Sequence, residues 1–189
     1  MTGPAGGAVA GGESPAAALR RVCGLLDGCG IPFQVTGDVA AIAHGATRPI
    51  RSVELFIAAE HVPALLRAAR EHVVDHPWRR RDEAWDRVAL SLSCDGLTVD
   101  VCVLEAARFR EAATGGWRAA AVDLAASVTT RIGDVRVPVM PRAQLLEQKR
   151  RLDREVDRRD VRDITREASR HAVGDGPAAA GRAPTPGSP

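Results

Sequence analysis

The chain has 189 residues, with 26 Lys+Arg against 24 Asp+Glu and a formal net charge of +2. That length allows one domain with tails or two small ones, and so slight a charge excess is not a strong nucleic-acid footprint. Apolar residues make up 45% of the chain but aromatics only 3%, so the expected core is aliphatic; no apolar run reaches the ~18 residues of a membrane span.

The four cysteines, Cys23, Cys29, Cys94 and Cys102, show no CxxC pair. They are expected as reduced, buried thiols. The N-terminus lacks the basic start and apolar stretch of a signal peptide, which points to a cytoplasmic protein. Lys149 is the only lysine among the 26 basic residues. It is either a chance survivor of a lysine-poor background or a place where arginine does not serve.

Residues 1–13, rich in Gly and Ala, and the tail from Gly174 are expected to be disordered. One domain is expected between them, over 14–173. Ser14 is a good N-cap and Pro15 suits the first helical position; Leu19, Val22, Cys23, Leu25 and Leu26 form the apolar face. IPFQVTGD reads as a strand entering a turn. Val39 to His44 reads as a short helix that Asp38 caps, and Arg51 to Ala58 as a second strand. A further amphipathic helix is expected from Glu60 to about His72.

Next comes a hairpin. Val88, Leu90 and Leu92 alternate on one arm and Leu97, Val99, Val101 and Val103 on the other, around Asp95-Gly96. Arg108 to Ala126 reads as one or two short helices around Gly115-Gly116. A second hairpin joins VTTRI to VRVPVM, and Pro138 marks its last arm as an edge strand. A helix from near Pro141 carries Leu145, Leu146, Lys149 and Leu152. Val156, Val161 and Ile164 continue it or belong to a second helix after Asp157. Arg150, Asp153, Arg154, Asp157 and Arg158 read as a solvated face of paired charges.

Alternation puts Ser52 and Glu54 on one side of their strand, and Asp100 on the polar side of a later one. If those strands are neighbours, Glu54 and Asp100 meet and are able to hold Mg2+, which prefers oxygen ligands and keeps water or phosphate oxygens. Thr36, Gly37 and Asp38 form a turn whose backbone N–H groups suit a phosphate.

This order of strand, Gly turn, short helix, arginine loop, carboxylate strand, helix and second carboxylate strand resembles the nucleotidyltransferase fold of DNA polymerase beta and the antibiotic nucleotidyltransferases. More closely it resembles small bacterial proteins of the AbiEii-like and minimal-nucleotidyltransferase type. The matching stretches are VTGDVAAIAHG, RPIRSVELFI, VDVCV, VPVMPRAQLLEQK and RRDVRDI, between Ile31 and Ile164. The resemblance implies an α+β fold with a mixed sheet flanked by helices, ending in C-terminal helices. It implies that Glu54 and Asp100 are catalytic metal ligands, joined by Asp38 and Ser52. It assigns Thr36, Gly37, Asp38, Arg48, Arg51 and Lys149 to nucleotide phosphates. In the family, two Mg2+ ions support transfer of a nucleoside monophosphate from NTP to a hydroxyl with release of pyrophosphate. The acceptor implied is a small molecule, a protein or an RNA end.

Two departures stand out. Ser52 occupies the place of the family's first metal-binding Asp, and Asp38 that of a small turn residue. Two functions therefore stay open: Mg2+-dependent nucleotidyl transfer, or a degenerate relative that binds a nucleotide or a partner in a regulatory or toxin–antitoxin-like role. His44 reads as packing or capping, and Asp160 and Asp163 as structural, paired with Arg158, Arg159 and Arg162. Trp78, Trp85 and Trp117 are expected to cover the sheet, with one alternative left open: Trp78 beside Arg79 to Arg81 lining a substrate groove.

Overall fold

The computed structural model describes residues 14–174, so the expectations for both tails lie almost wholly outside the described residues. The described residues form five α-helices and one mixed sheet, with α5 packed against α4. Helix α1 spans Pro15–Gly28; the Ser14 hydroxyl accepts from the Ala17 N–H at 3.3 Å and Pro15 sits in the first turn. Its inner face is Ala18, Leu19, Val22, Cys23 and Leu26, all buried.

Strand β1 (Gln34–Thr36) leads directly into α2 (Gly37–Ala43), and β2 (Val53–Ile57) into α3 (Val62–Ala68) after a single 3-10 turn. Then follow β3 (Val73–Arg81), β4 (Trp85–Cys94), β5 (Leu97–Val103), β6 (Arg108–Arg110) and β7 (Trp117–Ala119). The hairpin β8 (Val128–Ile132) and β9 (Val135–Val139) precedes α4 (Arg142–Leu152) and α5 (Glu155–Gly174). Across the sheet the order is β7-β6-β4-β5-β2-β1-β9-β8, with β3 on the other edge of β4.

The β4–β5 turn is the one its residues demand. Asp95 and Gly96 both have positive φ, 46° and 85°, the backbone of a type I′ turn, whose twist matches that of the flanking strands. Val53, Leu55 and Ile57 of β2 and Val99 and Val101 of β5 are buried, on the face that α1 covers together with β4 and β9. The core is aliphatic, as a chain with so few aromatic residues requires. Residues one step out of phase, Glu54 and Asp100 among them, point to the opposite face.

Several expectations are corrected. The helix after β2 ends at Ala68, and Val73 to Arg81 forms a nine-residue strand. Its alternation is broken by two register shifts, between Val73 and Asp75 and between Asp75 and Trp78, so the period of two is not legible. Arg108 to Ala126 forms the β6–β7 hairpin and one 3-10 turn instead of helices. Strand β9 is not an edge: it pairs with β8 on one side and with β1 on the other. Pro138 is tolerated because β1 meets β9 only at Val139, and the next N–H, Met140, donates to the Val35 carbonyl at 2.8 Å.

The N-cap of α2 is Thr36, not Asp38, and it makes no side-chain cap hydrogen bond. Asp153, with φ 49°, separates α4 from α5. The inner stripe of α5 is Asp157, Asp160 and Ile164, each fully buried, while Val156 is 37% exposed. Part of the supposed solvated charge face is therefore interior. Cys23, Cys94 and Cys102 are buried free thiols, whereas Cys29 is exposed.

Candidate functional site

The site starts from register. Glu54 is paired with Thr36 of β1 on one side and with Asp100 of β5 on the other. Asp100 in turn pairs with Ser91 of β4. A row of four polar residues thus crosses four strands, and Glu54 and Asp100 are in-register neighbours on adjacent parallel strands. Gly37, with φ 61°, closes the row from above, and a Cβ there would overlap the Glu54 carboxylate. Glycine is needed both for the left-handed backbone and for this close approach.

The carboxylates differ in their partners. Asp38 forms an ion pair with Arg48, Oδ1 to Nη1 2.5 Å, and accepts from the Arg51 backbone N–H at 3.2 Å. Asp100 accepts from Ser91 Oγ at 2.5 Å and from Arg80 Nη1 at 2.9 Å. Glu54 accepts no hydrogen bond among the described residues; its ion-pair contact is Arg87 Nη2 at 4.0 Å. Desolvation pushes the Glu54 carboxyl above the usual range, opposed by Arg87 and Arg154 and reinforced by Asp38 and Asp100. The side chain keeps 30% of its exposure, because it lies at the bottom of a narrow cleft open to water.

Arg48 continues past Asp38: its Nε and Nη2 donate to Asp160 at 2.7 and 2.8 Å. Lys149 Nζ lies 2.7 Å from Asp160 and 3.3 Å from Asp157, and Arg154 Nε donates to Asp157 at 2.6 Å. Alternating charges thus run Asp38, Arg48, Asp160, Lys149, Asp157, Arg154, joining the α2 region to α4 and α5. Burial pushes the Asp160 carboxyl up, but the hydrogen bonds from Arg48 and Lys149 outweigh it and hold it below the usual range. Asp163 accepts from the Thr47 hydroxyl at 2.9 Å, and His44 Nε2 bonds the Met140 carbonyl at 2.8 Å.

Arg48 and Lys149 therefore spend their charge inside the protein. The Arg51 side chain is exposed and forms no ion pair among the described residues, and Ser52, just before β2, makes no hydrogen bond there. Thr36 Oγ1 contacts Met140 Sδ at 3.8 Å at the rim of the row.

Above the row lies a cleft of about 120 Å³, whose lining includes Glu54, Arg87, Cys102, Gln148 and Arg154. Burial holds the Cys102 thiol up at about 12, so it is protonated and no nucleophile. A second pocket of about 360 Å³, between α4 and the β6–β7 hairpin, shares Gln148 with the first and has Phe109 in its wall. Sequence reasoning gave no role to Arg87 or Ser91, read Arg154 as part of a solvated face, and offered Arg80 only with Arg79 and Arg81 beside Trp78 as a groove lining. The alternation of β4 carried a signal, since Arg87, Ala89 and Ser91 are out of phase with Val88, Leu90 and Leu92. Nothing local paired Arg80 with Asp100, because its strand is irregular.

The donor set was tested against the divalent cations the resemblance implies. Both oxygens of Asp38 are engaged, Asp100 is held by a guanidinium and a hydroxyl, and Ser52 brings no charge. Among the described residues no group of three His, Cys, Asp or Glu is arranged to hold a metal ion. As arranged, the residues do not fit a resident metal.

Two solved structures share this architecture. A candidate nucleotidyltransferase from Thermotoga maritima superposes with TM-score 0.58 at 18% identity, over 84% of this chain and 91% of that one. The lincosamide antibiotic adenylyltransferase LnuA, with lincomycin bound, superposes with TM-score 0.54 at 13% identity, over 82% of this chain and 98% of that one. The chain has a nucleotidyltransferase-like fold. At such identities the likeness carries the fold alone. No protein-family model matches this nucleotidyltransferase-like chain, and no curated protein matches it in sequence. Among the described residues no helix is long and apolar enough to cross a membrane.

Proposed function

We propose that this nucleotidyltransferase-fold chain is a catalytically degenerate binding module that takes a nucleotide without Mg2+. The observation that carries this reading is the neutralisation of Asp38 by Arg48 and of Asp100 by Arg80. Carboxylates already matched to guanidinium groups are poor recruits for a metal ion.

What remains open in the cleft suits an oxyanion. Arg87 and Arg154 both line it beside Glu54, and planar guanidinium forks match phosphate oxygens. Arg87 Nε is buried and has no acceptor, a deficit that a phosphate oxygen would remedy. A cavity of about 120 Å³ takes a phosphate group rather than a whole nucleotide, since sites for complete small ligands run to roughly 300–1,000 Å³. The base and sugar would extend toward the roomier pocket across Gln148.

Calorimetry with the four ribonucleoside triphosphates, in EDTA and in Mg2+, tests the reading together with a pyrophosphate assay. Equal binding in both buffers with no pyrophosphate released is the expected result. Arg87→Ala should weaken that binding about tenfold, the worth of one charge-assisted hydrogen bond. Binding that requires Mg2+, or any pyrophosphate release that Glu54→Ala abolishes, restores the transferase reading with its hydroxyl acceptor.

A further inference from the structure

We propose that Arg80 is the built-in cation of this site: it stands at Asp100 where a divalent ion would sit, and it masks a latent divalent-cation site of Glu54 and Asp100. This inference concerns the protein without ligand and does not depend on nucleotide binding.

Parallel neighbouring strands lie about 4.8 Å apart, so two in-register carboxylates repel unless a cation comes between or beside them. Two arginines on the next strands supply that charge. Arg87 approaches Glu54, and its cross-strand partner Arg80 reaches Asp100. Arg80 is the better fixed of the two. Its Nη1 donates to Asp100 at 2.9 Å, and its Nη2 donates to Asp75 and to Ser91, both at 2.9 Å. Its guanidinium also lies over the Trp78 ring, 5.5 Å from the centroid.

All of this depends on β3, the strand that pairs only with β4. Asp75, Trp78 and Arg80 all come from it, so one strand carries the cation and two of the groups that hold it. A guanidinium neutralises Asp100 but coordinates no water and bridges no triphosphate as a metal ion does. Without Arg80 the same patch would offer two carboxylates and the Ser91 hydroxyl. Those are hard oxygen donors of the kind that suit Mg2+ and Mn2+.

Mn2+ binding to the full chain, read by electron paramagnetic resonance without nucleotide, tests this. The wild type should leave Mn2+ free at sub-millimolar concentration. Arg80→Gln should bind one Mn2+ at least tenfold more tightly, and adding Glu54→Gln should abolish the gain. Arg80→Lys, which keeps a charge at the site, should stay at the wild-type level. Equal affinity in wild type and Arg80→Gln overturns the proposal. So does a gain that survives Glu54→Gln, or one that Arg80→Lys reproduces in full. Should Arg80→Gln not fold in plain buffer, refolding with Mn2+ asks the same question. Recovery of the native circular dichroism supports the latent site, and failure to recover overturns it.

Discussion

Glu54 is the residue on which the site turns. It is half-buried among charges, accepts no hydrogen bond among the described residues and holds its proton more tightly than an ordinary glutamate. The folded state thus binds more protons than the unfolded state in the window between the usual glutamate range and the raised value. Its contribution to stability is present below that window and is lost as pH rises through it. Glu54→Gln should therefore stabilise the protein at neutral pH, by on the order of 1 kcal/mol, and flatten the decline in stability as pH rises above the usual glutamate range. Urea melts across that rise in pH measure it; a less stable variant at pH 7 would contradict the unpaired carboxylate. Gly37 makes the complementary case. Gly37→Ala brings a methyl group into the Glu54 carboxylate on a left-handed backbone, and a loss of about 1–3 kcal/mol is expected in the same melts. The setting of Lys149, the only lysine, favours a place where arginine does not serve. Its ammonium is 5% exposed and serves Asp157 and Asp160 at once. The bulkier planar guanidinium overfills that space, so Lys149→Arg should cost about 1–3 kcal/mol despite conserving the charge.

Among the elements, α5 shows how far local pattern goes. Its alternation of Arg and Asp reads as a water-facing helix, and the run of Arg158, Arg159, Arg162, Arg166 and Arg170 supports that for one face. The stripe that packs inward carries Asp157 and Asp160, whose side chains are 0% exposed. They are stable there only because Lys149, Arg154 and Arg48 converge on them. Arg48→Met leaves Asp38 and Asp160 short of a cation, and a loss of about 3–5 kcal/mol is expected, as for any broken buried pair. Thermal or urea unfolding checks it, and a loss under about 1 kcal/mol would show that the network is not buried as described. Strand β3 makes the opposite point. Its bulges hide it from any reading based on periodicity, yet it supplies Arg80. The strand forms by hairpin pairing with β4, the strand that follows it in the chain.

For the whole molecule, the helix–sheet layering rests on α1, whose apolar face spans β4, β5, β2 and β9. Leu19 is fully buried at that contact, and Leu19→Ala should cost about 2–5 kcal/mol in urea unfolding. An intact transition midpoint would mean that α1 does not carry the core. The sequence by itself determined what rests on neighbouring residues. Ser14-Pro15 starts α1, Asp95-Gly96 selects the hairpin turn, and alternation puts Glu54 and Asp100 on the polar faces of strands that prove adjacent. Even the order of elements, through its resemblance to nucleotidyltransferases, led to the right fold. The tertiary structure alone decided which charges are free. Arg48 and Asp160 are 112 residues apart, and Arg80 meets Asp100 across an irregular strand and a hairpin. Backbone periodicity is a local property that a sequence displays directly. Charge pairing depends on which distant side chains folding brings within a few ångströms, and that is why the strands of this site were legible and its cations were not.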